Sequence, residues 1–339
     1  MLSIGVTYAE VTLTGTVNQT YTNTSFGTTS STTIGSRLGA TGDSFITFAG
    51  SEDLGDGLKA SFKIEPRVNM NGSDSILKVT NATTGADQGT VAGSGSIFGA
   101  NREAHVDLSG AFGSVAIGNN YTPMFLLAVA PYDVNGSTNA GGYMVSNVAS
   151  FNATNSIAYT LPKLVDGLSI QVALNKAGTT NTSAGNSTGY GLSYSTGGFS
   201  AGFAGETTTN GTLQFVNQSG ALAGVGTGTT DVTKTAYGAS YDFGAAKVAL
   251  QGVNAKNTAD KIDTMGYGVH IPFGSFALNL SSSTMNTTVG SAAATKYTGM
   301  QIGANYALSK RTSVYFLNAD YKATAANLKQ TSVGVSHSF

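Results

Sequence analysis

Leu58-Lys59-Ala60-Ser61-Phe62-Lys63-Ile64-Glu65 sets an apolar side chain at every second position and a polar or charged one between. Successive side chains of a strand point to opposite faces, so this segment has one apolar face and one wet face. The same period recurs on both sides of it. Val11, Leu13, Gly15 and Val17 alternate with Thr12, Thr14, Thr16 and Asn18, and Ala104, Val106 and Leu108 with Glu103, His105 and Asp107. Later runs repeat it: Leu168 to Leu174, Met265 to Ile271, and Met300 to Tyr306. Each is near the roughly 9–11 residues that a tilted strand needs to cross a bilayer.

Composition says which solvents the two faces meet. Only 10% of the 339 residues are charged and 40% are hydrophobic, where a soluble domain carries about a quarter charged residues. No run approaches the roughly 18 apolar residues of a spanning helix; the richest stretch, Met124 to Pro131, is far too short. The mean hydropathy of +0.02 is likewise too low for a helical membrane protein. An apolar-rich chain without apolar runs mixes two surfaces residue by residue. A transmembrane β-barrel requires that mixing, because lipid-facing and lumen-facing side chains alternate. Five prolines in the whole chain suit a backbone whose N–H groups are needed in a ladder. The absence of cysteine excludes disulfides and thiolate metal sites. A net charge of -1 without basic runs argues against a nucleic-acid partner.

The connections alternate in length. Gly110-Ala111-Phe112-Gly113, Thr196-Gly197-Gly198, Asp242-Phe243-Gly244 and Leu308-Ser309-Lys310-Arg311 are short; Asn71 to Ser96, Thr122 to Thr154, Thr207 to Val232 and Ser283 to Thr295 are long and polar. Short periplasmic turns and long extracellular loops are the barrel pattern. Tyr159, Tyr194, Phe199, Tyr241, Phe276 and Tyr306 flank short connections and so read as one interfacial aromatic ring. The fold class is therefore all-β: one transmembrane antiparallel β-barrel of about sixteen strands, spanning residues 10–339. In the strand near Thr312 to Tyr321, Val314 and Phe316 compete with Tyr315 and Leu317 for the outer face. Residues 1–9 read as a signal-peptide remnant, with Thr7 and Ala9 as small residues before a cleavage point, or as an N-terminal strand extension.

Gly50-Ser51-Glu52-Asp53-Leu54-Gly55-Asp56-Gly57-Leu58-Lys59-Ala60 closely resembles a signature of the general porins of beta-proteobacteria. Asn101-Arg102-Glu103-Ala104-His105-Val106-Asp107-Leu108-Ser109-Gly110, Tyr121-Thr122-Pro123, Leu308-Ser309-Lys310-Arg311-Thr312 and the terminal Val333 to Phe339 resemble it in the same order. The resemblance implies a passive outer-membrane diffusion channel for small hydrophilic solutes and ions, without a cofactor. It also implies a homotrimer and a third extracellular loop, Thr122 to Thr154, folded inward as a constriction. Lipid, lipopolysaccharide and the barrel-assembly machinery are its implied partners. Phe339, Val335 and Val333 look like the assembly signal, with little ladder pairing expected of the terminal residue; His337 shares their phase.

The departures from the family bear on selectivity. Phe45, Ala49, Asn119 and Ala158 stand where its members often carry lumenal basic residues, although another alignment would give Arg37 the second-strand role. Inward-phase charges fall instead on two neighbouring strands: Lys59 at the periplasmic mouth, then Lys63, Glu65 and Arg67, beside Glu103, His105 and Asp107. They read as the pore lining, where opposed charges create a transverse field, or as paired ions supporting a hairpin. Asp133 either faces the constriction or ties the inward loop to the wall. Glu52 to Asp56 reads as a turn. Gly224-Val225-Gly226-Thr227-Gly228 reads as flexible loop. No Gly-x-Ser-x-Gly, His-Glu-x-x-His or phosphate loop accompanies the three histidines, so a barrel enzyme has little support. A secreted β-solenoid would need a fixed short repeat, which the chain lacks.

Overall fold

The computed structural model describes residues 10–35, 43–68, 70, 98–135, 145, 148–176, 185–216, 222–322 and 327–339; the first nine residues and Arg37 lie outside them. The chain forms β1 (Glu10–Phe26), β2 (Thr29–Gly35), β3 (Phe45–Gly55), β4 (Leu58–Val68), β5 (Phe98–Gly110) and β6 (Gly113–Tyr121). After the inward loop come β7 (Asn152–Thr160), β8 (Leu168–Asn175), β9 (Ser187–Thr196), β10 (Phe199–Val216), β11 (Leu222–Asp242) and β12 (Lys247–Lys256). The last are β13 (Lys261–Phe273), β14 (Phe276–Thr288), β15 (Thr295–Ala307), β16 (Thr312–Lys322) and β17 (Asn327–Ser338).

Sequential segments pair antiparallel around one sheet, with one refinement. β1 pairs with β3 along its half nearer the short turns, Thr16 opposite Phe45, and with β2 along its other half, Thr20 opposite Gly35. β2 and β3 thus share one place, and seventeen segments make a closed barrel of sixteen strands. β17 pairs with β1 from Thr16–Ser338 to Phe26–Leu328 and seals the sheet. Closure satisfies in lipid the backbone groups that an open edge would leave bare. Phe339 extends the seam: its N–H donates to the Gly15 carbonyl at 3.0 Å, and the Gly15 N–H donates back at 3.1 Å. The expectation of little ladder pairing at the last residue is corrected by this pair. Gly15 permits it, because an added Cβ would lie 2.7 Å from the Phe339 ring.

The side-chain alternation decides the faces. Phe316 is 42% exposed on the outside of β16, whereas Tyr315 and Leu317 are buried inside the barrel. The Tyr315 hydroxyl donates to Asn18 Oδ1 at 2.5 Å and meets Thr20. Tyr194, Phe199, Tyr241, Phe276 and Tyr306 are exposed beside the short turns, joined by Phe112, Phe243 and Phe273; the Tyr159 hydroxyl donates to the Phe112 carbonyl at 2.6 Å. Between β3 and β4, Asp56 and Gly57 take φ of 51° and 76°, as a two-residue primed hairpin turn requires.

Two long connections are shorter than the sequence suggests. β10 continues to Val216 and β11 begins at Leu222, so Thr207 to Val232 is mainly a hairpin, and the glycines from Gly224 to Gly228 lie in a strand. Likewise β14 runs on to Thr288. Backbone pairing needs no apolar face, so a strand that continues beyond lipid looks like loop in a hydropathy pattern.

Between β6 and β7 the chain turns into the barrel. Thr122 Oγ1 accepts the Phe125 N–H at 3.1 Å, and a π-helical turn, Phe125–Val129, passes into a 3-10 turn, Ala130–Tyr132. The opposite wall is cleared to receive this loop. A Cβ at Gly238 would lie 2.0 Å from the Tyr132 ring, and one at Gly268 2.4 Å from Val134. Met124, Ala128, Val129, Val148 and Ala149 pack there with Ala204, Ala236 and Val253. The inward loop is thus held by a small dry core, and the wall of β3 to β6 stays wet.

Candidate functional site

On that wet wall the register of β4 and β5 sets Lys63 opposite His105, Glu65 opposite Glu103, and Ser61 opposite Asp107. The side chains join into one chain of charges. Arg102 Nε reaches Glu65 at 3.0 Å, and Lys63 Nζ bridges Glu65 at 3.3 Å and Glu103. His105 follows, 3.6 Å from Glu103 and 3.0 Å from Asp107. Thr47 on β3 donates to Glu65 at 2.7 Å. Arg67 pairs with Asp43 at 2.8 Å rather than with the carboxylates of β5. Lys59 lies at the exposed end of β4, paired in register with Ser109.

Arg102 is the member that the alternation hides. In strict period two it would share the outer face with Ala104. A register shift separates the Glu65–Glu103 pair from the Pro66–Asn101 pair, leaving Arg102 as the extra residue of a bulge. A bulge turns one residue out of phase, and Arg102 joins Glu103 inside. Pro66, with no N–H for the ladder, is the sequence signal that could have found it. Asn119 lies at a second register shift, between β6 and β7, and donates to the Arg102 carbonyl at 3.4 Å.

Across the lumen, Asp133 Oδ1 accepts the Asn135 N–H at 2.9 Å and shapes a turn within the loop. Asn135 donates to Ser281, and Lys247 donates to the Pro131 carbonyl at 3.2 Å. Burial pushes the Tyr132 phenol above its ordinary pKa, opposed by its hydrogen bond to Ser200. At the loop's other end Ser150 sits between Lys234, 3.0 Å away, and Glu206. Glu206 and Lys234 face each other in the β10–β11 register. The alternation does not reveal these two charges, because they border the polar stretch from Thr207 to Val232. Val333 and Val335 are exposed on the outer face of β17, and Phe339 beside them.

A closed sixteen-stranded sheet with a loop folded into a charged lumen is the architecture of a diffusion pore. The model of the family described as Gram-negative porin matches residues 2–326. The chain belongs to the Gram-negative porin family. A porin of this kind is a passive channel of the outer membrane; its family and fold are those of channels.

Solved porins share the fold at low identity. An anion-selective porin from Comamonas acidovorans is 21% identical over 98% of this chain and 100% of its own, with a TM-score of 0.72. Salmonella typhi OmpF, in complex with daunomycin, is 17% identical over 98% of each chain, with a TM-score of 0.68. Vibrio cholerae OmpT in a trimer form is 14% identical over 98% of this chain and 99% of its own, with a TM-score of 0.66. No curated protein matches the porin in sequence.

Proposed function

We propose that the porin is a weakly ion-selective pore whose constriction lies between the Thr122 to Thr154 loop and the charged wall of β3 to β5. Charge pairing carries this reading. Lys63, Arg67 and Arg102 stand among Asp43, Glu65, Glu103 and Asp107 at 2.8–3.3 Å for the pairs Arg67–Asp43, Arg102–Glu65 and Lys63–Glu65. Charges in a wet pore are screened over about 8 Å at physiological salt, so pairs this close largely cancel for a passing ion. Asp133 serves the loop's own turn, and Lys59 the periplasmic mouth. Such a pore passes small hydrophilic solutes of either sign. The Comamonas porin is described as anion-selective; here Phe45, Ala49, Asn119 and Ala158 stand where, by the family resemblance, lumenal basic residues are often found. The test is a reversal potential in a salt gradient. Replacing Lys63 and Arg67 by Ala shifts it toward cations, and replacing Glu65 and Glu103 shifts it toward anions. Strong anion selectivity that survives the first pair of changes would refute the reading.

The assembly is proposed to be a homotrimer in lipid and lipopolysaccharide. The outer faces of β1 and β5 support this, because Val11, Leu13, Val106 and Leu108 are exposed branched side chains that could pack against a neighbour. Phe339, Val335 and Val333 are proposed to be read by the barrel-assembly machinery. An unboiled sample migrating as a trimer and a boiled one as a monomer would support the assembly.

A further inference from the structure

Arg102 stands within a run of aromatic rings. Its guanidinium carbon lies 4.1 Å from the centroid of the Phe45 ring, and its Nε–H donates to the Tyr121 hydroxyl at 3.0 Å. The Tyr121 ring lies 4.9 Å from Phe125, and Phe125 lies 4.8 Å from Phe151. Phe45 comes from β3, Arg102 from the bulge of β5, Tyr121 from β6, Phe125 from the inward loop, and Phe151 from the residue before β7. All five are half-buried, so each keeps some accessible surface. Phe45 shares the inward face of β3 with Thr47, which bonds to Glu65. Tyr132 and Tyr315 are buried inside the barrel, whereas these rings keep part of their apolar surface accessible beside a cation.

We propose that this run is a binding site for small aromatic carboxylates passing through the pore. The proposal rests on the constriction assigned above. A flat ring can stack on or tilt against the Tyr121 and Phe125 rings, while its carboxylate lies within reach of a planar guanidinium fork and an ammonium. Lys63, 33% exposed and linked to Arg102 through Glu65, supplies the second cation. An aliphatic carboxylate finds only the charges here, and a neutral arene only the rings. The aromatic anion finds both.

Single channels in planar bilayers test this with benzoate against cyclohexanecarboxylate, which has the same charge and ring size but no π face. Benzoate should reduce the KCl current at a roughly fivefold lower concentration, the factor set by a ring contribution of ~1 kcal/mol. In Phe45→Leu and in Phe125→Leu, which keep apolar bulk, that ratio should fall toward one. In Phe203→Leu, a lipid-facing ring of β10, it should stay. A wild-type ratio of one overturns the proposal and needs no variant to read; so does a ratio that survives both lumenal changes. The salt-gradient potential of Lys63→Ala reads the constriction without any arene. If that potential moves while the two acids block alike, the constriction stands and the aromatic site falls. If it stays still while the ratio holds, the site stands and the constriction assignment falls.

Discussion

Removing the Lys63 ammonium is the sharpest test of the charged wall, because Lys63 is the most open of its paired charges. Its side chain is 33% exposed, against 6% for Glu65 and 12% for Glu103, the carboxylates it bridges. A permeating ion about 4 Å from Nζ in wet surroundings feels ~1 kcal/mol. Screening over a length of about 8 Å reduces that to ~0.6 kcal/mol. Anions lose that attraction and cations lose the matching repulsion, ~1.2 kcal/mol between them, so the anion-to-cation permeability ratio should fall about sevenfold. Arg67→Ala alone should do less, because Asp43 takes up its charge at 2.8 Å on a 17% exposed side chain. The assay is the zero-current potential of purified channels across a KCl gradient, compared with wild type at two ionic strengths. A shift smaller at high salt fits. No shift at low salt, or one toward anions, would refute the placement of the constriction.

Other outcomes follow from the packing. Gly238→Val drives a side chain into the Tyr132 ring, so the loop should be displaced: conductance should rise and stability fall by ~1–3 kcal/mol, read from heat-induced gel migration; unchanged values would mean the loop does not rest on that wall. Phe339→Ala keeps the two backbone bonds to Gly15 and loses the ring, so it should slow outer-membrane accumulation with little loss of barrel stability, whereas deleting Phe339 should lower both. Normal accumulation of the Ala variant would dismiss the assembly signal. Crosslinking in mild detergent should yield a trimer band that boiling removes, and a strictly monomeric species would count against the homotrimer.

The barrel was legible because lipid on one side and water on the other impose period two residue by residue, as in Leu58 to Glu65. The register that faces Lys63 with His105 is a property of the β4–β5 hairpin, whose other strand begins beyond a long connection. What period two cannot carry is its own interruption. Arg102 enters the lumen through a bulge, and only Pro66 hints at it. The hairpin from Thr207 to Val232 was equally hidden, because outside lipid neither face needs to be apolar. Glycine meant two different things that composition merges: a turn with positive φ at Gly57, and a cleared wall at Gly238 and Gly268. The second depends on where a loop more than a hundred residues earlier comes to rest.

The seam between β1 and β17 carries the largest loop-closure cost in the barrel. Thr16 and Ser338, whose hydroxyls meet at 3.0 Å, are 322 residues apart in sequence. Bringing such distant ends together costs about 5 kcal/mol in chain entropy by the loop-length law, and no partial contact across the seam repays that. Every other junction in the barrel joins strands that follow one another, so it can form as the chain arrives. Topology makes this seam the junction of greatest sequence separation, and wherever it is open its two margins are templates for any strand that reaches them first.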